Sequence, residues 1–152
     1  MILRTTAQHS HYHDERATQK DNVGATHKLS FLEVFEQYPI AELDAEQGLL
    51  RHDDNAAAYC KALRSFVRTT VPLLNAMDDP QKETLGRYAI QAREVKNSCR
   101  IICATPLSIL AEELEVAARS LDVDFVWDYN GYFHFRARYL IEDIEELLNR
   151  LQ

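Results

Sequence analysis

Tyr88-Ala89-Ile90-Gln91-Ala92-Arg93-Glu94-Val95-Lys96-Asn97-Ser98-Cys99-Arg100-Ile101-Ile102-Cys103-Ala104 is the stretch whose periodicity decides the fold. Tyr88, Ala92, Val95, Cys99 and Ile102 recur at intervals of three and four, so a helix of about 3.6 residues per turn stacks them on one face. Arg93, Lys96, Asn97 and Arg100 fall opposite Val95 and Ile102, giving a basic outer face of low profile between Ala89 and Ala104. One apolar side on such a helix requires other helices to cover it.

Those helices are legible on both sides. Leu107, Leu110, Ala111, Leu114, Ala118 and Leu121 predict the next one, and Val126, Tyr129, Phe133, Leu140, Ile144, Leu147 and Leu151 the last, with Asp122 as its cap. Asp79-Pro80 and Thr105-Pro106 each set a capping side chain before a proline, which predicts helix starts at both. Upstream, Tyr59, Leu63, Phe66, Val67, Leu73, Leu74 and Met77 predict a first long helix from about Asp53 to Met77, with Pro72 able to bend it. Ser30-x-x-Glu33 and Asp44-x-x-Gln47 read as capping boxes opening two short helices, the first stopping near Pro39. No strand-like alternation competes. The expectation is an all-α domain over residues 29–152, an antiparallel up-down four-helix bundle with one or two short N-terminal helices, after a flexible arm over 1–28.

Composition narrows the function. A net charge of −7 argues against a general nucleic-acid binder, which needs basic surface to meet phosphate. Cys60, Cys99 and Cys103 are an odd number without paired spacing, which fits a reducing compartment, and no apolar run of roughly 18 residues would enter a membrane. The opening Met1-Ile2-Leu3-Arg4 lacks the apolar run of a signal peptide, so the expected location is cytoplasmic.

The helix quoted first, followed by Leu110-Ala111-Glu112-Glu113-Leu114-Glu115, resembles the signature helix and succeeding helix of the histidine-containing phosphotransfer (HPt) family. Leu43-Asp44-Ala45-Glu46-Gln47-Gly48-Leu49 is similar to the leader helix of such domains, and Tyr59-Cys60-Lys61-Ala62-Leu63-Arg64-Ser65-Phe66 to their first long helix, so the likeness covers about residues 40–150. Lys96, Ser98 and Arg100 fall on positions the family commonly fills that way. Arg93 stands where the family has its phospho-accepting His, Asn97 where it has a small residue, and Cys103 where Gly is common. Phosphotransfer needs a neutral imidazole nitrogen, available because the ordinary pKa is about 6.5, whereas arginine is always protonated and has no acceptor. The resemblance therefore implies a two-component phosphorelay protein, not an enzyme, that docks a response-regulator receiver domain or a histidine kinase without carrying phosphate. Arg93, Lys96, Asn97 and Arg100 are the expected contact surface, with Ile90 and Ile101 as apolar flanks. Receiver phosphorylation pockets are acidic in that family, and a cation complements them.

Other residues stay secondary. His9-x-His11-x-His13 reads as adventitious metal binding, so neither metal nor cofactor is expected. His134 and His52 are the alternative nucleophiles for a relocated phosphocarrier site, and a plain oligomerising helical bundle is the remaining alternative. Asp53-Asp54 and Asp78-Asp79 read as helix-start carboxylates complementing the dipole. Trp127, Gly131 and Phe135 form a second apolar surface on the last helix, to be covered by the short helix of Leu29, Leu32, Val34 and Phe35 or by a second subunit. A monomer or weak homodimer is expected.

Overall fold

The structure is a computed structural model that describes Gly24 and residues 27–152; the expected arm lies almost wholly outside them. Among the described residues the regular structure is all helical. Residues 27–37 form α1, followed by α2 (Ala45–Arg51), α3 (Ala56–Ala76), a 3-10 turn (Lys82–Thr84), α4 (Leu85–Ile101), α5 (Thr105–Arg119) and α6 (Val123–Arg150). None of the described helices is long and apolar enough to cross a membrane. α3 packs against α4, α4 against α5, α5 against α6 and α6 against α3. The periodic residues meet inside: Leu63, Ala92, Val95, Cys99, Ile102, Leu107, Leu114, Val126, Phe133 and Ile144 are completely buried.

Two caps lie where the sequence put them. Asp44 accepts from the Gln47 amide at 3.1 Å and Asp122 from the Phe125 amide at 3.1 Å. Other boundaries are corrected. Helix α1 already runs at residue 27, so Ser30 lies inside it, and α3 starts after Asn55, which caps the Ala58 amide. Asp53 and Asp54 instead close α2, at φ 57° and 56°. The Asp54 amide bonds Leu49 O and the Asp53 amide Leu50 O, the paired bonds of a Schellman motif. Pro80 opens no helix: Gln81 caps the 3-10 turn, and α4 begins at Leu85. Thr105 is itself the first residue of α5, behind Ala104. α3 continues through Pro72 to Ala76.

Buried polar groups tie the helices together. The Tyr88 hydroxyl donates to Asn130 Oδ1 at 2.7 Å, Asn130 Nδ2 donates to Met77 O at 3.1 Å, and the Tyr59 hydroxyl donates to Ile102 O at 2.8 Å. Gly48 leaves room for that tyrosine, since a Cβ there would collide with the Tyr59 ring. Thr70 is the exception among the described residues, a fully buried hydroxyl without a partner, costing about 1–3 kcal/mol.

The expected cover over α6 is not supplied by α1. Phe31 of α1 is buried edge-on to Tyr59 at 5.6 Å, and Lys28 reaches Asp54 at 3.0 Å, which fixes this helix at the α2–α3 turn. Its apolar face is already used there, so Trp127 and Phe135 stay 54% and 66% exposed. Tyr129 and Leu121, both assigned to core stripes by spacing, are exposed as well.

Candidate functional site

α4 and α5 carry opposite charge along their contact. Arg87, Arg93, Lys96 and Arg100 outnumber Glu94 on α4, while Glu112, Glu113 and Glu115 outnumber Arg119 on α5. Glu115 sits at the centre with its side chain 3% exposed. Lys96 Nζ donates to its two carboxylate oxygens at 2.9 and 3.3 Å, Arg93 Nε lies 3.6 Å away, and Arg119 Nη2 lies 3.9 Å away. A carboxylate at this depth persists only because cations meet it. Arg100 Nη2 approaches Glu112 at 3.5 Å, but both groups are half exposed and the pair adds little.

This arrangement corrects the reading of Lys96 as part of an open outer face. Its side chain is 12% exposed, turned along the α4–α5 seam toward Glu115. The physical reason is its place at the edge of the polar arc, next to the neighbouring helix. Arg93, Asn97 and Arg100 do remain exposed, and Ile90 (61%) and Ile101 (47%) flank them on the same helix. One carboxylate among Lys96, Arg93 and Arg119 leaves surplus positive charge at the surface. Glu115 escaped the sequence reading. The available signal was a carboxylate between Leu114 and Ala118, beside the apolar stripe of α5.

His134 is buried, with Nδ1 2.9 Å from Asn130 O and Nε2 2.9 Å from Leu74 O, so neither ring nitrogen is presented to an incoming phosphate. His52 is half-buried beside Tyr59, with Nδ1 2.8 Å from Gly48 O. Among the described residues no cluster of His, Cys, Asp and Glu is placed to hold a metal ion, and His9, His11 and His13 lie outside them. The thiols are quiet. Burial pushes Cys99 up to about 12, with Glu42 adding to the rise and Arg136 opposing it, and burial is also the main cause raising Cys60 and Cys103. A cleft of about 920 Å³ lies between α1, the start of α2 and the α4–α5 junction, with Leu32, Phe35 and Pro106 among its lining and Glu36, Asp44 and Glu46 beside them.

Comparison with protein-family models, curated proteins and solved structures finds no match for this chain.

Proposed function

We propose that this chain is a degenerate HPt-like protein of a two-component phosphorelay. It docks a response-regulator receiver domain, or the histidine kinase that feeds one, and carries no phosphate. In this reading α3 to α6 form the antiparallel up-down four-helix bundle of that family. The support is their cyclic packing, each long helix against two others, and the short turns joining α4 to α5 and α5 to α6. The observation that carries the docking role is the exposed strip of α4, where Arg93, Asn97 and Arg100 lie between Ile90 and Ile101. A positive centre with an apolar margin, on a protein of net charge −7, is suited to an acidic pocket with an apolar rim. Glu115 takes its shortest contact from Lys96, while Arg93, 3.6 Å from the same carboxylate, keeps half of its side chain at the surface.

The test is to incubate the protein with a phosphorylated receiver and follow phosphate transfer and complex formation together. The expected result is a complex without label, abolished by Arg93→Glu while the helical spectrum is unchanged. Acid-labile, base-stable label on the protein would instead select the carrier reading through another His, with His52 the better exposed candidate. Neither complex nor label across receivers of the same organism would end the signalling reading.

A further inference from the structure

The outward face of α6 is built like half of a symmetric contact. Gly131 lies in the middle of this helix, exposed, with open space where a Cβ would be. A mid-helix glycine is destabilising relative to alanine, and among the described residues nothing packed against it requires the small residue. Four positions to either side, on the same ridge, are Trp127 and Phe135, 54% and 66% exposed. Seven positions to either side are Asp124 and Arg138, both exposed and opposite in charge. The face thus reads Asp124, Trp127, Gly131, Phe135, Arg138, palindromic in spacing about the glycine and complementary in charge at its ends.

We infer that this face pairs with the same face of a second copy of the chain, the two α6 helices running antiparallel across a two-fold axis at Gly131. Antiparallel pairing sets Trp127 against the second copy's Phe135 and Asp124 against its Arg138, each twice by symmetry, which is the isologous arrangement of most homodimers. Glycine at the crossing lets the backbones approach, bringing the aromatic pairs into contact. Trp127 is already held in place, its Nε1 donating to Pro80 O at 2.8 Å, and Arg138 Nη2 rests 3.2 Å from Asn75 Oδ1. Asp128 and Glu142 border the face and keep it polar at its margin.

Area sets the strength. Trp127, Tyr132, Phe135 and Tyr139 are each more than half exposed. At about 150–250 Å² per aromatic side chain they leave roughly 400–500 Å² on one helix, the upper range for a monomer's largest patch. Doubled across the axis this is roughly 900 Å², below the standard interface of about 1,200–2,000 Å², so the dimer is weak and concentration-dependent.

Sedimentation velocity of the full chain, from low-micromolar to submillimolar concentration, tests the inference. The expected result is a reversible monomer–dimer equilibrium. Asp124→Arg or Arg138→Asp alone should raise its dissociation constant by about tenfold or more, by setting like charges opposite each other, and the double reversal should restore it. Gly131→Leu should block association, with circular dichroism reporting an intact helix content. A chain that stays monomeric throughout, a dimer indifferent to the single reversals, or a double reversal that fails to recover would each overturn the pairing. So would a chain that dimerises only after removal of residues 1–23, because the face would then be covered by the chain's own N-terminal segment.

Discussion

Glu115 is one carboxylate facing three cations, and its worth depends on depth rather than on the number of partners. The Lys96–Glu115 pair is nearly dry, with side chains 12% and 3% exposed, whereas Arg100 and Glu112 are solvated to about half. Removing one member of a buried pair strands the other, at a cost of about 3–5 kcal/mol, while exposed pairs are worth about 0–1 kcal/mol. Glu115→Ala is therefore expected to lower unfolding stability by about 3 kcal/mol in urea, and Glu112→Ala by less than about 1 kcal/mol. Equal losses would mean that water reaches the Lys96–Glu115 contact. Both residues were visible in the sequence, but their pairing was not. Helical spacing gives the angle of Lys96 about its own axis, not the rotation of α5 that brings Glu115 beneath it.

At the scale of the element, periods were more legible than ends, of which Asp44 and Asp122 were read correctly. The stripes of α3, α4, α5 and α6 follow from apolar residues every three or four positions, and apart from Tyr129 and Leu121 their members lie in the core or against it. Leu121 continued the α5 stripe by spacing alone, yet the helix stops at Arg119, and Leu121 is 68% exposed at φ 59°. Its amide bonds Ala118 O and the Asp122 amide bonds Ala117 O, a Schellman closure that favours glycine at this position. Cys103 closes α4 in the same way at φ 61°, a second left-handed position held by a residue with a Cβ where glycine would be unstrained. Leu121→Gly should therefore stabilise the protein by about 1 kcal/mol, since a Cβ in the left-handed region costs about 1–2 kcal/mol and little packing is lost. A thermal melt that shifts downward would show that Leu121 contributes contacts outweighing its strain. Asp79-Pro80 misled for a related reason. The proline is buried and its carbonyl accepts from Trp127 of a distant helix, a demand that local pattern does not reveal.

For the molecule as a whole, the core holds protons that unfolding would release in alkaline solution. Tyr59, Tyr88 and Cys99 are almost fully buried, and burial is the leading cause raising each above its ordinary value, the thiol to about 12. Each group is uncharged while it keeps its proton, so the folded chain binds that proton more tightly than the unfolded one. The stabilisation is complete well below the unfolded values, 9.0 for the thiol and 10.0 for the phenols, and is lost as pH climbs through them toward the folded values. The urea midpoint should hence be insensitive to these groups well below pH 9, begin to fall as pH 9 is approached and fall steadily above it. Cys99→Ala should lessen the earliest part of the fall, which it shares with Cys60 and Cys103 because thiols titrate first in the unfolded chain, and Tyr59→Phe should lessen a later part. A midpoint level to pH 11, or a decline unchanged in both variants, would mean that the core admits hydroxide or that other groups govern the alkaline limit. This test bears on the packing of α3, α4 and α6 around Tyr59, Tyr88 and Cys99, independently of the surfaces proposed for partners on α4 and α6.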